Sequence, residues 1–318
     1  MSVYWQDDTI TLHHGHALDV ARTLPKASIQ AIVTSPPYFG LRDYGHDDQI
    51  GSEPTIGGYV AALVQLLAEL RRVLTDDGVL WLNLGDTYAG RANAGPAYDG
   101  NRGKGRPGGI PKRRRTTGEA PYKSLIGAPW RVALALIDDG WLLRSEVIWA
   151  KPNPMPESVT DRPTRSHEHV FMLTKSPRYF YDAAAVAEPA LEAGRLITAY
   201  PAGAKLHGTG PFIRNRPGLQ DRTVPATRNK RDVWEIAPAH FDGAHFAVMP
   251  AALARTCVLA STRPGDVVLD PFSGSGTTGK VATQEGRRYV GIDLNADYLD
   301  LSLRTRFAQP SLAIGGDE

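Results

Sequence analysis

The stretch that most constrains this chain runs Val267-Val268-Leu269-Asp270-Pro271-Phe272-Ser273-Gly274-Ser275-Gly276-Thr277-Thr278. A short apolar run opens into a glycine-rich turn. A helical pattern follows over 277–285, and a second apolar run over 289–293 ends in Asp293. Strand, tight loop, helix and strand make a βαβ unit, which needs a parallel sheet with covering helices. Glycines at 274 and 276 let the backbone turn closely against a ligand, and an acid ending the second strand can accept both hydroxyls of a ribose.

These glycines admit three ligands. Gly274 to Lys280 fits the phosphate-binding pattern G-x-x-x-x-G-K, but Val281 stands where a Mg²⁺-holding hydroxyl is needed. Gly274, Gly276 and Gly279 also fit the dinucleotide fingerprint. Asp270 separates the readings: an acid at the strand end repels a pyrophosphate and suits a cationic ligand such as S-adenosylmethionine. The cofactor-binding candidates are Asp270, Phe272, Ser273, Gly274, Gly276, Thr277, Thr278 and Asp293.

Far upstream, Thr34-Ser35-Pro36-Pro37-Tyr38 follows the apolar run Ala31-Ile32-Val33. Two prolines fix φ and remove two N–H donors, so the loop is stiff and rich in unclaimed carbonyls. A carbonyl held beside a hydroxyl can take both hydrogens of an exocyclic amino group. Tyr38 offers a face on which a planar base can stack, a contact worth about 1–3 kcal/mol. Taken alone, Pro-Pro after a strand is also an ordinary strand terminator.

Periodicity fills in the rest. Strands are expected at 9–13, 29–34, 79–84, 141–149 and 169–173, the last two as a hairpin over the Pro-rich residues 152–163. Helices are expected at 17–24, 59–74, 129–137, 245–259 and 296–307, with Asp77-Gly78 breaking the chain before the strand at 79. Residues 86–120 form a Gly/Arg/Pro-rich connection too long to be idle in a compact domain. Between 182 and 230 periodicity fades while Gly, Pro and Arg rise, as expected of an inserted recognition segment. The expected division is a catalytic part at 1–181, an insertion at 182–231 and a cofactor-binding part at 232–318.

Net charge is only +2, but residues 102–115 hold seven Lys/Arg and no acid. Local basic patches on a near-neutral body point to a polyanionic partner touched on one face, against the plainer reading of solvated loops. A single cysteine, Cys257, excludes an internal disulfide framework and a multi-cysteine zinc site, and fits a reducing cytoplasm. No metal is expected. No run reaches the roughly 18 apolar residues of a membrane span, and the first eight residues carry no signal-peptide pattern.

Together, Thr34-Ser-Pro-Pro-Tyr38 and Asp270-Pro-Phe-Ser-Gly-Ser-Gly-Thr-Thr278 resemble the amino-methylating DNA methyltransferases of the β arrangement, in which the catalytic motif precedes the cofactor motif. Glu69 to Leu74 with Gly78 to Asp86, and Trp149-Ala-Lys151 with His167-Glu-His-Val-Phe171, resemble intermediate motifs of that family. His245-Phe246-Ala-Val-Met-Pro250 resembles the segment that closes over the methyl donor, adding Phe246 to the cofactor contacts. The family often has Gly-Asp where this chain has Gly15-His16.

The resemblance implies a Rossmann-like α/β fold of the S-adenosylmethionine-dependent methyltransferases. Its central sheet is mostly parallel, its motif order is circularly permuted, and it carries an inserted target-recognition segment. It also implies double-stranded DNA with a base flipped out of the stack, and catalysis by Ser35, Pro36, Pro37 and Tyr38. Arg113, Arg114, Arg115, Arg214, Arg216, Arg222 and Arg228 are candidate DNA contacts. In this family Ser-Pro-Pro-Tyr usually marks cytosine N4 and Asp-Pro-Pro-Tyr adenine N6, so Ser35 points to cytosine. The alternatives are an adenine-N6 enzyme of the same fold and, more remotely, a DNA-binding protein with a vestigial cofactor site. Cytosine C5 chemistry needs a thiolate beside the base, whereas Cys257 lies in a pattern typical of a helix core. A restriction endonuclease is a possible companion, the chain being a monomer or homodimer in the cytoplasm.

Overall fold

The computed structural model describes residues 3–41, 49–90, 120–197, 222–239 and 249–307, without the side chains of Ile197 and Arg222. Among these residues the chain forms two compact units, residues 1–182 with 232–318 and residues 183–231. The larger unit is built on one sheet. Its strands are β1 (Val3–Gln6), β2 (Ile10–His14), β3 (Ile29–Thr34), β4 (Leu74–Leu84), β5 (Leu142–Ala150), β6 (His167–Thr174), β11 (Val233–Glu235), β12 (Val267–Asp270) and β13 (Arg288–Asp293). They lie in the order β1-β2-β13-β12-β3-β4-β6-β5-β11. Seven run one way; β1 and β6 run against them.

Helices α1 (Ala17–Thr23), α2 (Ile56–Val73) and α3 (Ala128–Asp138) pack in sequence on one another, while α4 (Ala251–Ser261) packs on α5 (Thr277–Gln284). The central strands are apolar on both faces because both faces are covered. Ile32, Leu80 and Leu82 point to the core under α2. On β4, Trp81 instead reaches α4, its indole N–H donating to Ser261 Oγ over 3.2 Å. α2 forms because Ile56, Tyr59, Leu63, Leu66, Leu67, Leu70 and Val73 recur at helical spacing and are all buried, and because Thr55 caps it by accepting from Gly58 N–H.

Three expectations change in detail. β4 begins at Leu74, so Asp77-Gly78 is a bulge within the strand and not a break before it: Ile29 pairs with Leu74, but Ala31 already pairs with Val79. Helix α4 starts at Ala251, since Pro250 sits at its N-cap; residues 245–248 lie outside the described residues. The closing helix α6 (Ala296–Ser302) gives way to a π-helical turn at Leu303–Phe307. The hairpin β5–β6 forms as expected. The smaller unit is held by two short antiparallel ladders, β7 (Glu188–Pro189) with β10 (Thr227–Arg228) and β8 (Leu196–Ile197) with β9 (Arg222–Thr223).

Candidate active site

Strands β12 and β3 are parallel neighbours, with Leu269 opposite Ile32. From β12 the chain crosses by α5 to β13 on one side, and from β3 it crosses by α2 to β4 on the other. The sheet therefore changes winding direction between these two strands, which is where open α/β sheets form a ligand crevice. Both sequence-selected loops start there, the glycine-rich loop after Asp270 and the Ser-Pro-Pro-Tyr loop after Thr34.

The buried Thr34 hydroxyl donates to Asp270 Oδ1 over 2.7 Å, and Phe272 N–H donates to the same oxygen over 3.1 Å. Burial raises the Asp270 carboxyl from 3.8 to about 6, despite these donors. Gly274 N–H donates to Asp293 Oδ2 over 2.7 Å, and Asn295 N–H to Asp293 Oδ1 over 2.8 Å, so the acid ending β13 is oriented by two backbone amides. Gly276 has φ +77°, and a Cβ there would lie 2.8 Å from Ser302 Cβ. Only glycine fits this position. The Thr277 hydroxyl is buried at the start of α5 with no hydrogen-bond partner among the described residues, while Thr278 Oγ1 lies 3.5 Å from the Val33 carbonyl. Ser273 faces inward, its Oγ accepting from Tyr289 over 2.9 Å, and so serves the loop's own packing. Phe272 is half-buried against the core. Phe246 lies outside the described residues.

The upstream loop is equally fixed. Tyr59, from α2, donates to the Pro37 carbonyl over 3.0 Å, which claims one of the two proline carbonyls. The Tyr38 ring rests on Gly85, where a Cβ would fall 2.5 Å from Cε2. Its hydroxyl donates to Glu168 Oε2 over 2.5 Å and lies 3.2 Å from Ser35 Oγ. Burial and the Glu168 charge hold the Tyr38 phenol well above its ordinary range. Asn83 Nδ2 donates to Tyr38 Oη over 2.9 Å and Glu168 Oε2 over 3.0 Å, with Ser35 Oγ at 3.4 Å. Lys151 pairs with Glu168 Oε1 and sits over the Trp149 ring.

Asn83, Lys151 and Glu168 are not among the residues selected from the sequence. Asn83 does carry a signal, being the one polar residue in the apolar run 79–84. Lys151 and Glu168 lie in the segments that resemble intermediate family motifs, but no spacing singles them out; the β5–β6 and β4–β6 pairings bring them beside Tyr38. Of the candidate DNA contacts, Arg113, Arg114, Arg115, Arg214 and Arg216 lie outside the described residues, and of Arg222 only the backbone is described. Arg228 is paired with Glu188 over 2.8 Å. Cys257 is buried inside α4, and burial pushes its thiol up, away from nucleophilic use.

A family model described as DNA methylase, for N6 and N4 methyltransferases, matches residues 29–304. The chain is 48% identical over 92% of its length to the Type II methyltransferase M.Cfr9I of Citrobacter freundii, covering 86% of that protein. It is 44% identical to the Type II methyltransferase M.SmaI of Serratia marcescens, covering 91% of this chain and 87% of that one. Among solved structures it is similar to the PvuII DNA methyltransferase (cytosine-N4-specific), with TM-score 0.65, 18% identity, and coverage of 96% of this chain and 89% of that one. A putative DNA modification methylase from Thermus thermophilus, complexed with S-adenosyl-L-methionine, matches with TM-score 0.54, 23% identity and 92% coverage of both chains. The chain belongs to the N6/N4 DNA methylase family.

Proposed function

We propose that this protein is a site-specific DNA methyltransferase that places a methyl group on the exocyclic N4 of a flipped cytosine. The observation that carries the choice of base is Ser35: the side-chain acceptor at the head of the loop is a hydroxyl, and the carboxylate beside it is supplied by Glu168. Similarity to Type II methyltransferases supports a fixed target sequence and a restriction endonuclease as companion.

The residues at the β12 and β13 strand ends fit S-adenosylmethionine. Asp270 would supply negative charge for its ammonium group, Asp293 would accept from the ribose hydroxyls, and the Gly274–Gly276 turn lacks the side chains that would block the approach. Thr277 adds a buried hydroxyl that has no partner among the described residues. Phe272 adds an apolar face on this reading. When bound, S-adenosylmethionine supplies an electrophilic methyl carbon.

With the Pro37 carbonyl held by Tyr59, the Pro36 carbonyl and Ser35 Oγ remain to accept the two amino hydrogens of the base. Tyr38 would stack on the ring, and the amino lone pair would be left unclaimed by the protein. Positioning and preorganised acceptors carry this step, with no covalent enzyme intermediate. The residue 183–231 unit and the basic residues 102–115 supply phosphate and base contacts.

Digestion of DNA from cells producing the protein, followed by nucleoside mass spectrometry, is expected to give N4-methylcytosine. N6-methyladenine in its place overturns the choice of base and leaves amino-methyl transfer standing. Neither product overturns the reading as a whole.

A further inference from the structure

We propose that Ser35, Tyr38 and Glu168 form a proton relay that carries the proton released by the methylated amino nitrogen to the Glu168 carboxylate. The proposal rests on the amino-methyl transfer reading above.

The direction of each hydrogen bond follows from elimination. The Glu168 carboxylate is paired with Lys151 through its other oxygen and accepts from the Tyr38 phenol. The same carboxylate fixes the Asn83 amide, because only Nδ2 can face it, and that group also donates to Tyr38 Oη. With its own proton spent on Glu168, the phenol oxygen is an acceptor towards Ser35, whose hydroxyl donates to it at 3.2 Å. One Ser35 lone pair faces Asn83 Nδ2 at 3.4 Å, and the other is left for the substrate amino group. Three oxygens thus form a line from the reacting nitrogen to a half-buried carboxylate that Lys151 neutralises on its other oxygen. Burial keeps the phenol from resting as a phenolate, so Tyr38 passes a proton on without storing charge.

The step balances. The nitrogen lone pair forms the N–C bond as the S–C bond breaks, and that electron pair stays on sulfur. The nitrogen is left cationic with one proton in excess. This proton moves to Ser35 Oγ, the Ser35 proton to Tyr38 Oη, and the Tyr38 proton to Glu168 Oε2. A neutral methylamino group and a neutral Glu168 result, and Glu168 later loses its proton to solvent. The charged groups facing Glu168 are Lys151 after β5 and, on its own strand, His167, which feels its charge; Tyr38 and Asn83 face it from β3's loop and β4.

The test uses full-length wild type, Glu168→Gln and Tyr38→Phe. Glutamine still accepts from Tyr38 but takes no proton at neutral pH; phenylalanine keeps the stacking ring and removes the middle link. In single-turnover methylation of duplex DNA, both variants are expected to fall by about 10²–10⁴-fold, the range of general acid–base catalysis. The three proteins are compared at pH 8 with saturating donor, above the range in which Asp270 titrates. In the free protein, without donor or DNA, a far-downfield hydroxyl proton resonance is expected in wild type and absent from Tyr38→Phe. Either variant within threefold of wild type, or the downfield resonance retained in Tyr38→Phe, overturns the relay. If wild type makes no methylated base at all, the failure lies in the underlying functional reading, and the relay falls with it.

Discussion

The Thr34 hydroxyl donates to Asp270 Oδ1 over 2.7 Å, joining two strand ends that are 236 positions apart in sequence. The bond ties the loop that would hold the base to the loop that would hold the methyl donor. It is buried and charge-assisted, a class worth roughly 1.5–3 kcal/mol. Thr34→Val keeps the volume and removes the donor. The variant is expected to lose about 1.5–3 kcal/mol of stability at pH 8 and to bind S-adenosylmethionine more weakly. Urea denaturation and titration calorimetry check both, and a variant as stable as wild type would show that the bond contributes nothing.

Gly85 and Tyr38 make a second close relationship. A Cβ at residue 85 would fall 2.5 Å from Tyr38 Cε2 and 2.7 Å from Cδ2, so Gly85→Ala must displace the ring. Misplacement of a catalytic group by about 1 Å costs on the order of 10²-fold in rate. Gly85 follows β4, two strands over from β12 and its glycine-rich loop, so the loss is expected in turnover with donor affinity within about twofold of wild type. Matching losses in both would place Tyr38 in the cofactor site and not beside the base.

Gly276→Ala is expected to do the reverse. Its φ of +77° is costly for alanine, and the new methyl would sit 2.8 Å from Ser302 Cβ and 2.9 Å from Phe307 Cζ. Strain of this kind costs about 1–3 kcal/mol. The loop before α5 must shift, so donor affinity should fall together with the melting temperature. Undiminished affinity measured by calorimetry would separate this turn from the cofactor.

The β12–α5–β13 unit is legible in sequence because every signal is local: an apolar run, glycines where φ turns positive, and an acid ending the next strand. The neighbouring Ser35 loop is legible because proline and tyrosine are informative without context. The edge strand β1 is not, since Val3–Gln6 is exposed at both ends and pairs by a ladder with a register shift. The ladders of residues 183–231 are two residues long, too short to show any period. The network around Tyr38 is the harder case. Asn83 and Glu168 are 85 residues apart and meet because β4 pairs antiparallel with β6, a pairing that no spacing encodes.

In the smaller unit, Glu188 Oε1 accepts from Arg228 Nε over 2.8 Å and from Arg231 Nε over 2.6 Å. One carboxylate therefore holds two guanidinium groups, and Arg228 also carries Nη1 and Nη2 donors able to reach a phosphate. Arg228→Ala is expected to reduce the log–log salt slope of DNA binding by about 0.9, the effect of one phosphate contact. An unchanged slope with a lowered melting temperature would assign Arg228 to the packing of this unit alone.

Asp270 gives the sharpest pH dependence. Its carboxyl is raised from 3.8 to about 6 by burial, so the folded protein binds this proton more tightly than the unfolded chain does. Stability from this group is therefore fully present below about pH 4, declines as pH rises towards 6, and is absent above it. At 1.36 kcal/mol per pH unit the penalty at pH 8 reaches about 3 kcal/mol. Asp270→Asn keeps an oxygen to accept from Thr34 and Phe272 but cannot ionise. Relative to wild type, it is expected to be more stable at pH 8 than at pH 4 by up to that amount, in urea titrations at the two values. Donor binding should run the other way. Wild-type affinity for S-adenosylmethionine should rise as pH passes 6, when the carboxylate forms, whereas the asparagine variant should bind weakly throughout. A residue retained despite such a cost to the free protein is one whose charge the ligand uses, and equal affinity of the two proteins at pH 8 would refute that role.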